Sequence, residues 1–405
     1  MRRSTTPPAV GTDEPPATTM PTAGTPAASP AAGLPARLAR WATVVVPLLA
    51  VGMLAAVWGR PHLSPLAQVA VACLLAGSVL AAVHHAEMVA LRVGEPFGSL
   101  ILAVAVTIIE VGLIVSVMLS GGPGTDSLAR DTVFAAVMLT CNGIVGLALL
   151  IGALRHGVAR FNAEGTGAAL ATVLTLAALC LVLPTFTISA PGPTFTPAQL
   201  VFAAVVSLAL YGLFVFVQNI RHRDYFLPPR DEDSDEFRSA HRRRRAGEHA
   251  APPSTRSALT SLLLLMAALI GVVGLAKVES KTIEEAVTGA GLPASFVGVI
   301  IAVLVLLPET LAAVRNARRD RVQISLNLAL GSAMASIGLT IPTIAVASFW
   351  LPGPLLLGLG PLQIALLVLT AAVGVLTVMP GRSTLLQAAV HLVLCAAFLF
   401  LAANP

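Results

Sequence analysis

Two glutamates, Glu110 and Glu309, sit deep inside strongly apolar runs and occupy matching places in the two halves of the chain. In the first run, Phe97 opens an apolar stretch that ends in Ile108-Ile109-Glu110; in the second, Phe296 opens one that ends in Leu307-Pro308-Glu309. The carboxylate arrives 13 residues after the phenylalanine in both. As a helix that is about 20 Å, near the middle of a bilayer. A carboxylate at that depth costs a few kcal/mol unless it is protonated, paired or bound to a cation. Two of them, placed by an internal repeat, point to a cation site shared between the repeats.

The elements that must carry this pair follow from composition. Of 405 residues, 56% are hydrophobic and only 11% charged, which describes an all-α polytopic membrane protein. Eleven apolar spans are predicted, at roughly 41–58, 66–86, 97–119, 131–153, 167–186, 199–219, 257–276, 294–314, 323–347, 361–379 and 383–402. The net charge of +5 does not imply nucleic acid, because the basic residues are gathered in loops and no base-reading module is present. Cys73, Cys141, Cys180 and Cys395 fall inside spans, form no CxxC motif, and read as small packing residues. Residues 1–36 are rich in Pro, Thr, Ala and Ser and are expected to be a disordered tail rather than a signal peptide.

With the N-terminus placed inside, 21 Lys and Arg residues fall on the inner side and 4 on the outer; without the central loop the split is still 12 to 4. A multi-pass plasma-membrane protein with a cytoplasmic N-terminus and an outside C-terminus is therefore expected. Leu208–Phe216 resembles Leu392–Phe400, and Pro184 and Pro380 end the fifth and tenth spans. Spans two to six thus match spans seven to eleven, with the first span extra. Five helices per repeat is an odd number, so the second copy enters from the opposite face: an inverted repeat, as in many secondary transporters. The expected divisions are an extra helix at 37–60, a first repeat at 61–219, a charged cytoplasmic linker at 220–256 and a second repeat at 257–405. The linker carries an acidic run, Asp231–Glu236, then Arg242–Arg245. It reads as a solvated, topology-anchoring segment, with contact to anionic membrane lipids as the other reading.

Several motifs occur in a familiar order: Gly94-Glu95-Pro96-Phe97-Gly98-Ser99 before Glu110, Leu306-Leu307-Pro308-Glu309, then Asn327 through Pro342, with His84-His85-Ala86-Glu87 and Arg221 through Leu227. From about Trp41 to Pro405 the chain resembles the bacterial calcium/proton antiporters of the cation/calcium exchanger superfamily. The resemblance implies that Glu110 and Glu309 bind the ion, and that calcium, with sodium and potassium in the same range, exchanges against protons. The chemistry agrees. Calcium prefers oxygen ligands, and two carboxylates balance its charge. When it leaves, protons are the natural replacement, since bare buried carboxylates are costly.

Neighbouring oxygens complete the reading. Asn142 and Gly143 lie in the helix after Glu110, and Ser332 and Ser336 in the helix after Glu309. For the serines, packing and ligation account for their presence equally well; an amide such as Asn142 is harder to explain by packing alone. Thr107, one turn before Glu110, is read as packing. Pro308 has no partner in the first half, where Ile109 stands, so only one helix carries a residue able to free a carbonyl. His84, His85 and Glu87 fit either a proton relay or pH sensor or an ordinary polar helix end, and His391 is a weaker candidate on a proton path. No cofactor is expected, no zinc-enzyme motif occurs, and no phosphate-binding loop is present, so an ion gradient supplies the energy. A cation channel using the same glutamates is the alternative. Channels usually build such rings from several subunits, which favours the transporter.

Overall fold

A computed structural model describes residues 34–60, 63–94, 97–119, 121, 124–229, 253–350 and 353–405. The expected disordered tail, the charged core of the linker and the Glu95-Pro96 pair lie outside the described residues. Contacts divide the chain into two units, Met1–Arg40 and Trp41–Pro405, and every apolar span lies in the second.

All eleven predicted spans are helices: α1 (Leu34–Val57), α2 (Pro65–Val93), α3 (Phe97–Met118), α4 (Thr125–His156), α5 (Ala163–Phe186), α6 (Pro197–Arg221), α7 (Thr255–Gly289), α8 (Phe296–Ala317), α9 (Val322–Ala347), α10 (Pro361–Val378) and α11 (Leu385–Ala403). Those from α2 to α11 are long and apolar enough to cross a membrane, and α1 adds a shorter apolar segment at Trp41–Val57. Their starts are written in the sequence. Ser64 accepts from Ala67 N ahead of Pro65, and Thr196 and Gln199 form a reciprocal capping box ahead of Pro197. Gln363 and Gln387 reach back to the backbone N–H of Gly360 and Thr384. Each device satisfies donors that the first helical turn leaves open.

Boundaries depart from expectation in two places. α2 runs on to Val93, so His84–Glu87 lie within the helix instead of at its end. α7 runs on to Gly289, because Lys277, Glu279, Lys281, Glu284 and Glu285 continue the helix after its apolar run stops. Pro184 lies within the last turn of α5, and Pro380 follows α10.

Loop contacts fix the alternation of the crossings. On one face, β1 (Ala159–Arg160) after α4 pairs antiparallel with β2 (Arg382–Ser383) after α10, and Arg155 donates to the Arg318 carbonyl after α8. On the other face, the segment before α10 donates from Leu356 N to Asp126 O and from Leu357 N to Pro193 O, at the starts of α4 and α6. Every tie joins loops that eleven alternating crossings place on the same side.

The helices pack as two interlocked five-helix repeats plus α1. α2 and α7 pack on each other; α3 packs on α9 as α8 packs on α4; α6 packs on α9 as α11 packs on α4. Each half thus covers the other crosswise, the arrangement an inverted repeat produces. The α8–α4 approach is close: a Cβ on Gly298 would stand 2.8 Å from Thr132 N, so only glycine fits.

Candidate functional site

α3 and α8 are both 22 residues long, and each carries its glutamate at the fourteenth position. They belong to opposite-running crossings, so the two carboxylates approach the centre from opposite faces. Both are buried, Glu110 to 3% and Glu309 to 8% exposure. Glu110 Oε1 accepts a hydrogen bond of 2.6 Å from Ser336 Oγ, on α9 of the other repeat. Glu309 Oε2 is buried with no hydrogen-bond partner. Glu309 also feels the charge of Glu110 and of Glu87.

A small cavity adjoins Glu110, with about 10 Å³ of room for water centres. Thr107, Ser332 and Ser336 contribute oxygen to its wall, and Ala302, Val305 and Leu306, from the turns before Glu309, close the other side. That is space for one water or one bare ion. Thr340 lies one turn beyond Ser336 with its hydroxyl buried beside the Glu110 carboxylate; its spacing of four from Ser336 was the signal that could have found it. Pro308 does not break α8, which is continuous through it. Lacking an N–H, it nonetheless leaves the Leu304 carbonyl without its helical donor. Among the described residues no three His, Cys, Asp or Glu side chains gather as a metal cluster. A cation here would be held by two carboxylates with hydroxyls, a carbonyl or water, a hard all-oxygen set.

The other sequence candidates are placed differently. Asn142 is fully buried, but its amide Nδ2 donates to Thr370 Oγ1 at 2.9 Å and its Oδ1 lies 3.2 Å from His391 Nδ1. His391 Nε2 lies 3.1 Å from Thr377 Oγ1. Since Asn142 Oδ1 can only accept, the neutral imidazole carries its proton on Nδ1 and accepts from Thr377. Asn142 and His391 therefore meet each other across the repeats. Gly143 faces α11, where a Cβ would stand 3.2 Å from Cys395 Sγ. His85 is buried, with Nε2 2.9 Å from the Thr43 carbonyl, while His84 and Glu87 are exposed. Cys141, Cys180 and Cys395 are buried and Cys73 is exposed; all four are free. Sequence reasoning did not foresee the π-helical turn at Leu139–Ile144 that carries Asn142. Nor did it foresee the buried Asp131, which accepts from Ser127 and Arg130, both at 2.8 Å.

Crosswise-packed inverted repeats with a buried acidic residue from each at the centre define an ion transporter of the secondary type. The sodium/calcium exchanger protein family matches residues 63–219 and 260–403, and the chain belongs to it. It is 46% identical over 336 residues to y4hA of Sinorhizobium fredii, named as an ionic transporter, covering 82% of this chain and 87% of that one. It is 31% identical over 360 residues to the sodium-potassium/proton antiporter ChaA of Escherichia coli, covering 88% and 94%. In fold it is similar to the crystal structure of the H+/Ca2+ exchanger CAX, with a TM-score of 0.62 at 16% identity, over 90% of this chain and 92% of that one. The chain is a multi-pass membrane antiporter of the cation/calcium exchanger superfamily.

Proposed function

We propose that this antiporter exports calcium, with sodium and potassium as further substrates, in exchange for protons, by alternating access at Glu110 and Glu309. The observation that carries the reading is the pair itself: two buried carboxylates, one from each repeat, the first lining a cavity sized for one ion and the second with an oxygen left unpartnered. Two bare charges enclosed together repel and lack water. A divalent cation neutralises both at once, and so do protons. Either form can be carried across, whereas the empty, doubly charged form resists closure, and that makes exchange obligatory. The name of ChaA keeps sodium and potassium in the substrate range.

In this reading Ser336 and Ser332 supply hydroxyls to the ion, and Thr107 and Thr340 flank them. Asn142 and Gly143 support the site through helix packing. Glu87, whose charge acts on Glu309 and which itself feels Arg315, serves the path to the arginine-rich face, with His84 and His85 beside it. The repeats are taken as 61–219 and 257–405, with the helix at 37–60 and the linker at 220–256 outside them. The arginine-rich loops face the cytoplasm of the cell membrane, leaving the C-terminus outside.

The test is cation-induced proton movement in everted membrane vesicles lacking other antiporters, with calcium, sodium and potassium in turn. Wild type should collapse an imposed proton gradient on calcium addition, and Glu110→Gln and Glu309→Gln should not. Wild-type vesicles that respond to none of the three ions would overturn the antiport. Normal exchange in both variants would overturn the site.

A further inference from the structure

Away from the central pair, one more carboxylate is enclosed with an oxygen that nothing answers. Glu279, on α7, is 3% exposed, and its Oε1 has no hydrogen-bond partner. Thr282 offers its side chain to the carboxylate. The cationic residues on either side are engaged elsewhere: Lys277 Nζ sits 5.4 Å from the centre of the Trp58 ring, and Lys281 pairs with Glu285 at 3.9 Å. Enclosing a carboxylate without a counter-charge is costly, and an oxygen left without a partner calls for an explanation.

Its height relative to the central site can be read from helix contacts. α3 and α7 run in the same direction, and the Val273 carbonyl accepts from Ser116 Oγ at 3.3 Å while the Val273 side chain abuts Gly112. Val273 is thus level with the turn between those two residues. At about 1.5 Å per residue, Glu110 lies about 6 Å to the arginine-rich side of that level and Glu279 about 9 Å to the other side. On α2, which runs oppositely, Ser78 lies against Gly271. Glu87 is then about 10 Å beyond Glu110 toward the arginine-rich face. The two helices are counterparts in the inverted repeat, each opened by a serine cap, Ser64 and Ser254, and packed on one another. Glu87 follows Pro65 by 22 residues and Glu279 follows Thr255 by 24. The two carboxylates are two residues out of register in that correspondence, and their levels along the helices alone place one on each side of Glu110.

We propose that Glu279 is the counterpart of Glu87 on the opposite side: a carboxylate that receives the hard divalent cation as it passes between the Glu110/Glu309 site and the face away from the arginine-rich loops. The inference rests on the exchange reading above. Glu87 is exposed and Glu279 enclosed by surface area.

The experiment measures calcium KM from each face separately, in everted and right-side-out vesicles, for wild type, Glu279→Gln, Glu279→Asp and Glu110→Gln. Glu279→Gln should raise KM about fivefold or more from the face opposite the arginine-rich loops and leave the other face within about twofold, the scale of one lost charged contact. Glu279→Asp, which keeps the charge, should fall between the two. Unchanged values at both faces, or equal rises at both, would overturn the proposal. Loss of both Glu279 variants from the membrane would make the group structural and overturn it too. Retained exchange in Glu110→Gln would instead sink the two-glutamate site, leaving the effect of Glu279 readable on its own.

Discussion

The third helices of the two repeats, α4 and α9, occupy equivalent places and do different work. α4 widens into a π-helical turn at Leu139–Ile144, whereas α9 is regular from Val322 to Ala347. Each sends a polar side chain across to the other half. Ser336 of α9 donates to the Glu110 carboxylate; Asn142 of α4 meets Thr370 and His391. One carboxylate is therefore hydrogen-bonded and the other keeps an unpartnered oxygen. The scaffold is symmetric and its polar wiring is not. An inverted repeat has to differ between its halves in any one access state, because identical halves would open both faces equally.

The comparison can be broken most severely at the carboxylates. Glu309→Gln and Glu110→Gln should each reduce calcium-driven proton movement about 100-fold or more, equivalent to about 3 kcal/mol or more of lost stabilisation. If only one matters, the site is not shared. Next comes the close approach that seats α8 against α4. Gly298→Val should destabilise the protein by about 1–3 kcal/mol, read as a lower unfolding temperature in detergent, since added bulk meets backbone rather than a movable side chain. Asn142→Leu leaves His391 and Thr370 without their buried partner. It should lower thermal stability by about 1–3 kcal/mol while calcium KM stays near wild type, which would separate a packing role from ligation. Ser336→Ala should do the reverse, raising calcium KM about fivefold with little change in unfolding temperature. Pro308→Ala restores the N–H that the Leu304 carbonyl lacks. It should slow exchange by about threefold or less at unchanged protein level, a small effect because one carbonyl at most is withdrawn from the site.

Much of this architecture was legible in the sequence because lipid imposes a simple rule: a helix must be apolar over about 20 residues to cross. All eleven helices, and the glutamates interrupting two of them, follow from that rule. The polar continuations of α2 and α7 did not, because past the membrane the signal changes from hydropathy to ordinary helix propensity, as in Lys281-Thr282-Ile283-Glu284-Glu285. The π-turn was hidden for another reason. Leu139-Thr140-Cys141-Asn142-Gly143-Ile144 reads as plain helix, and the extra residue in the turn is set by what packs around it. For Asn142, sequence distance misled: of the two central glutamates Glu110 is the nearer along the chain, yet His391, 249 residues away, lies opposite its amide oxygen.

The crosswise packing also bears on how the molecule is assembled. Each half buries much of its apolar surface on the other; α4 is covered by α8 and α11, and α9 by α3 and α6. Each half is in effect the other's obligate partner subunit. Two separate polypeptides, ending and beginning within residues 230–252, would then find each other in the membrane and restore transport, while either one alone would be degraded.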